Sequence, residues 1–154
     1  MNNELTIRLL DFEDEIPWNL LLTADPSVEH IKQYLADGLC FLAFLNQQLI
    51  GAFVLVETAP GTYELMNIAV NKKFQGRGFG KRLVHRAKLE VRQRGASVLN
   101  VGTGNSSLSQ LAFYQKCGFR IVGVESDFFM RNYEEEIIEN GIRCVDMIRL
   151  SLKL

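Results

Sequence analysis

The run Gln75-Gly76-Arg77-Gly78-Phe79-Gly80-Lys81 places three glycines at alternate positions just ahead of an amphipathic stretch. Residues without a Cβ let the backbone approach a ligand closely and turn several N–H groups toward one point. The unpaired amides and positive dipole end of a following helix reinforce that point, so the segment predicts an anion site, and a pyrophosphate fits it. Two better-known glycine loops fail here. A Walker loop needs Ser or Thr after Gly-Lys, where Arg82 stands, and its earlier glycine would fall on Gln75. A dinucleotide fingerprint begun at Gly76 needs its last glycine where Lys81 stands, and begun at Gly78 it needs one where Leu83 stands. Alone, the run also fits a plain turn joining a strand to a helix.

The elements around the loop follow from periodicity. Residues 5–9 alternate apolar and polar and read as a half-buried strand. Pro17 suits a first helical turn before the apolar residues 18–22. A second helix, capped by Asp25 or Ser27, carries Val28, Ile31, Tyr34 and Leu35 at helical spacing and stops at Gly38. Residues 40–44 and 49–56 form a hairpin about a tip at Asn46-Gln47-Gln48, and Pro60-Gly61 turns into a strand over 63–70. Beyond the loop, Leu83, Val84, Ala87 and Val91 mark the buried stripe of a helix that ends at Gly95. Then come a strand over 97–101, a helix over 107–116 with Leu108, Leu111 and Ala112 inward, and closing strands over 119–124 and 144–152. The strand-helix-strand unit implies a parallel pair side by side. The fold class is α/β of the α+β kind: one domain over residues 1–154, with a mixed, mostly antiparallel sheet and helices on both faces.

Composition narrows the partners. The 154 residues are 47% hydrophobic and 23% charged, with a net charge of -1. That is a globular balance with no basic field for nucleic acid. Cys40, Cys117 and Cys144 lie far apart with no CxxC pair, which predicts buried free thiols in a reducing, cytoplasmic setting. No signal peptide and no run of ~20 apolar residues is found, so a soluble protein is expected. His30 and His85 have no companion at ligand spacing, and no metal is expected. The run Glu134-Glu135-Glu136 with Glu139 reads as a solvated face, though it could attract a cationic amine. Residues 127–141 are long for a simple hairpin. Phe128, Phe129 and Tyr133, with Trp18, could wall an acceptor pocket, and core packing accounts for them equally well.

Residues 67–70 (Asn-Ile-Ala-Val), then 75–80 (Gln-Gly-Arg-Gly-Phe-Gly), then 112–119 (Ala-Phe-Tyr-Gln-Lys-Cys-Gly-Phe) together resemble the GNAT superfamily of N-acetyltransferases. The resemblance runs from about residue 5 to 152. It implies a sheet whose strands ending at Val70 and over 97–101 splay apart around the pantetheine arm of acetyl-CoA. Backbone groups of Ile68, Ala69 and Val70 would hold the arm, and Gln75, Gly76, Arg77, Gly78, Phe79, Gly80 and Lys81 the pyrophosphate. Asn105 and Ser107 would line the thioester end; the family more often has Asn where Ser107 stands.

The implied reaction moves the acetyl group of acetyl-CoA to a primary amine of a small molecule or protein, by direct attack in a ternary complex. An ammonium of pKa ~10.4 must first lose a proton, and Glu64 is the candidate base, directly or through water. Strict alternation would put Glu64 on one face with Met66 and Ile68, opposite Asn67, unless a bulge intervenes. A backbone N–H near Ile68 would stabilise the oxyanion, and Tyr114 resembles the family's tyrosine that protonates the leaving thiolate. The competing readings are a regulatory module of the same fold that binds coenzyme A without chemistry, and a nucleotide-binding domain of another kind. The family also suggests a homodimer.

Overall fold

The computed structural model describes residues 4–154, and the expectation of no signal peptide rests in part on residues 1–3, which lie outside the described residues. Seven strands form one sheet in the order β1 (Leu5–Leu9), β2 (Leu39–Leu45), β3 (Gln48–Ala59), β4 (Thr62–Val70), β5 (Val98–Gly104), β9 (Met147–Lys153) and β6 (Arg120–Glu125). Every neighbouring pair is antiparallel except β4 and β5, the pair joined through helix α3 (Phe79–Gln93). The expected mixed sheet is therefore present. Asn46 and Gln47 make the β2–β3 turn, both at positive φ (51° and 69°), as a tight hairpin turn demands.

Helices cover both faces. On one, α3 buries Leu83, Val84, Ala87 and Val91 against Phe41, Phe53, Leu55 and Leu65, and α4 (Leu108–Lys116) adds Tyr114. On the other, α1 (Trp18–Ala24) and α2 (Val28–Asp37) bring Leu20, Leu21, Ile31 and Tyr34 to Leu42, Ala52, Val54 and Ala69. Ser27 caps α2, its Oγ accepting from His30 N at 3.2 Å. No helix among the described residues is long and apolar enough to cross a membrane.

Three local expectations are corrected. The β3–β4 register slips so that Val54 faces Asn67 while Leu55 faces Leu65, leaving Met66 as an extra residue. This bulge breaks the alternation: Ile68 packs with Leu65 toward α3, whereas Asn67 and Ala69 turn to the α1–α2 face, where Met66 also packs. In α4 the inward residue is Tyr114, with Leu111 and Phe113 half-buried, and Leu108 and Ala112 are exposed. The large ring lodges edge-on against Phe119 at 5.8 Å, and burying it outweighs hiding a leucine at the helix tip. The final strand starts at Met147, not at Cys144. The backbone N–H groups of Val145 and Asp146 donate to Asn105 Oδ1 (2.8 and 3.0 Å) and that of Cys144 to Ile137 O, so these residues bond outside the ladder. The long segment before them holds α5 (Phe128–Asn132) and a two-residue ladder of β7 (Ile138–Glu139) with β8 (Ile142–Arg143).

Phe53 is fully buried and stacks on Phe41 at 4.9 Å. Phe53→Ala should cost about 3–5 kcal/mol of stability, read as a lowered midpoint in urea denaturation with little change in slope.

Candidate active site

β4 and β5 hold their parallel ladder only from Thr62–Val98 to Leu65–Val101. Past the bulge at Met66 they share no register pairs, and the gap opens into a cleft of about 1260 Å³. Ile68, Ala69 and Val70 line its β4 side, and Gly102, Thr103 and Gly104 its β5 side. Gln75 Nε2 donates to Val70 O at 2.9 Å, fastening the glycine loop to the strand end.

At one end of the cleft lie Gln75, Gly76, Gly78, Phe79, Gly80 and Lys81. Gly76 and Gly78 have φ of +76° and +83°, the left-handed region where a side chain is strained, and nothing stands within 4 Å of where their Cβ atoms would be. Gly78 caps the fifteen-residue α3 without a side-chain bond, so the first-turn amides and dipole face the cleft. This geometry fits a diphosphate, and the strand gap fits an extended arm behind it. Arg77 is not part of the lining; its guanidinium lies over Phe74 and Phe79, 5.4 Å from each ring centre. Asn105 is also outside, its amide bonded to Val145 N, Asp146 N and Arg143 O. Ser107 does line the cleft and donates to Glu139 Oε1 at 2.8 Å.

Tyr114 reaches the cleft from α4, its hydroxyl accepting from Gln110 Nε2 at 3.4 Å. Burial, with the nearby Cys117 sulfur, pushes its pKa well above the ordinary tyrosine range, so the phenol stays protonated. Glu64 lines the cleft at the unsplayed end of β4, and Arg149 Nη1 donates to its Oε2 at 3.3 Å. Arg149 Nε also donates to Glu125 Oε1 at 2.9 Å, so one guanidinium serves two carboxylates. Burial raises the Glu64 pKa, and Arg149 offsets part of the rise.

Beside Glu64 lies a polar network that periodicity did not expose. Asp25, at the end of α1, accepts from Tyr34 OH (3.2 Å), Tyr133 OH (2.9 Å) and Ser27 N (3.0 Å). Tyr34 and Tyr133 are both held protonated, by burial first and the Asp25 charge after it. Asn67 Nδ2 donates to Tyr34 OH (2.9 Å) and Leu21 O (3.0 Å), while its Oδ1 is buried without a hydrogen-bond partner. An acceptor left so costs about 1–3 kcal/mol, which marks a place where a donor belongs. The one sequence signal for it is a lone amide in the apolar run 65–70. Phe128, Phe129 and Tyr133 do wall this part of the cleft, but Trp18 packs instead on the α1–α2 core. Glu134, Glu135 and Glu136 are exposed, and Cys40, Cys117 and Cys144 are buried free thiols. Among the described residues no group of three His, Cys, Asp or Glu side chains could hold a metal ion.

A gap between splayed strands with the room for an extended arm, and a glycine-capped helix at one end, suits an acyltransferase that uses acyl-coenzyme A. Residues 7–119 match the acetyltransferase (GNAT) family, and the chain belongs to it. A GNAT acetyltransferase from Elizabethkingia anophelis, solved with acetyl-CoA bound, is 45% identical and superposes with a TM-score of 0.97 over 100% of both chains. An IAA acetyltransferase from Bacillus cereus is 52% identical with a TM-score of 0.93, over 98% of this chain and 100% of that one. The uncharacterized N-acetyltransferase YvbK of Bacillus subtilis is 47% identical over 98% of this chain and 97% of its own. The protein is an N-acetyltransferase with acetyl-CoA as cosubstrate, which sets the catalytic reading above the regulatory one.

Arg149→Met would leave Glu64 and Glu125 without their shared cation. The half-buried Glu64 carboxylate then favours its protonated form more strongly, so the penalty is present at high pH and fades as pH falls through its raised pKa. Urea denaturation should show a loss of about 1–3 kcal/mol near pH 8 that shrinks toward pH 5.

Proposed function

We propose that this chain acetylates a primary amine that enters beside Glu64 and Asn67, from the α1–α2 and α5 side of the cleft, and attacks directly in a ternary complex. The observation that carries the reading is the Met66 bulge, which sets Asn67 on the α1–α2 face while the splayed backbone of Ile68, Ala69 and Val70 remains open to the coenzyme. Bound acetyl-CoA supplies an activated acetyl thioester. The loop amides at 76–81 hold its diphosphate, and Lys81 adds positive charge there.

Glu64 takes the amine proton. Its raised pKa makes it a better base than a solvated glutamate, and Arg149 offsets part of the rise that burial causes. Tyr114, kept neutral by burial, has a proton to give the departing sulfur. Much of the acceleration comes from holding amine and thioester together, so neither side chain is absolutely required.

A thiol-release assay across an amine panel tests the reading. The acid limb of the kcat/KM profile should fall above the ordinary glutamate range, and Glu64→Gln should abolish that limb and lower kcat by about 10²-fold or more. An unchanged limb would remove Glu64 from the role. Tyr114→Phe should reduce kcat by about 10-fold to 10²-fold with the KM for acetyl-CoA little altered, because only the proton is lost.

A further inference from the structure

We propose that the acceptor half of the cleft takes a cationic amine carried on an apolar body and lacking a carboxylate, with Asn67 Oδ1 accepting one of its N–H groups. The proposal rests on the amine-acetylating reading above and names its substrate class.

The orientation of Asn67 is determined by its partners. Leu21 O can only accept, so the nitrogen must face it, and Nδ2 also meets Tyr34 OH. Tyr34 is free to accept there because its own proton goes to Asp25 Oδ2. Exchanging the amide oxygen and nitrogen would set two acceptors together at Leu21. Oδ1 is therefore the atom left over, on a residue 4% exposed that lines the cleft. An ammonium or amine, rich in donors, satisfies it; a carboxylate, which only accepts, does not.

Charge points the same way. Asp25 has hydroxyl and backbone partners only, with no Lys or Arg paired to it among the described residues. The nearby cation is Arg149, already shared by Glu64 and Glu125. Two further lining cations, Lys81 and Lys116, sit on α3 and α4, away from the α1–α2 face. Over the whole lining the charges balance, with Glu139 the third carboxylate, but beside Asn67 Asp25 and Glu64 outnumber Arg149, and such a local excess attracts cations and repels anions. The adjoining wall is aromatic: Phe128 lies under the Arg149 guanidinium (5.8 Å), and Tyr133 packs between Phe129 (5.4 Å) and the His30 ring (4.7 Å). Such a wall receives an apolar body and attracts its cationic end.

The experiment compares phenethylamine, L-phenylalanine and spermidine by thiol release from acetyl-CoA. Phenethylamine should exceed phenylalanine in kcat/KM by about tenfold or more, since the two differ only by the carboxylate. Asn67→Leu should raise the KM for phenethylamine by about tenfold while leaving the KM for acetyl-CoA unchanged. Asp25→Asn keeps the shape, covers the case in which Asn67→Leu does not fold, and should shrink the phenethylamine-to-phenylalanine ratio by about threefold or more. Phenylalanine matching phenethylamine, spermidine surpassing it, or a ratio unmoved in Asp25→Asn overturns the substrate class and leaves amine acetylation standing. No thiol release with any amine, although calorimetry records coenzyme binding, overturns both.

Discussion

The extra residue at Met66 is the constraint on which the site depends. A continuous ladder between β4 and β5 would pair their backbones along the full length and leave no room between them. One inserted residue increases the local twist and ends pairing at Leu65–Val101, and the strands diverge. It also redistributes side chains: Ile68 stays with the α3 core, and Asn67 passes to the other face. The gap between β4 and β5 and the placement of Asn67 on the α1–α2 face thus arise from the same local irregularity.

Around that opening the charges are sorted by position. Loop amides, the α3 dipole and Lys81 gather at the glycine-loop end, while Asp25 and Glu64 lie at the other. Burial then tunes the ionisable groups in one direction. Tyr34, Tyr114 and Tyr133 all stay neutral, so each can donate a hydrogen bond at neutral pH. Glu64 is shifted the same way but remains opposed by Arg149, a cation from a strand 85 residues further along the chain.

Much of the architecture was legible because it follows from local rules. The α3 stripe, the Ser27 cap, the Asn46-Gln47 turn and the glycine loop each depend on residues close in sequence. What periodicity could not supply depends on distant partners. The Met66 bulge requires the β3 register, and strict alternation, which groups Met66 with Ile68 unless a bulge intervenes, holds only for Ile68 opposite Asn67. The start of β9 is displaced by Asn105, a side chain about 40 residues earlier that takes up two backbone donors. The α4 stripe is set by Phe119, beyond the end of that helix. Arg149 carried no signal at all, since a charged residue in a closing strand looks the same whether it meets solvent or Glu64.

The position of β9 in the sheet has a bearing on how the chain assembles. This strand, following all others in the chain, lies between β5 and β6 rather than at a border, and it delivers Arg149 to Glu64. Until it inserts, β5 keeps a bare row of amides and carbonyls on one side and β6 has no neighbour. A growing chain can therefore fold the meander of β1 to β4 early, yet Arg149 meets Glu64 only once β9 has been made and inserted, and in that interval the open edge of β5 is a template for pairing with another molecule.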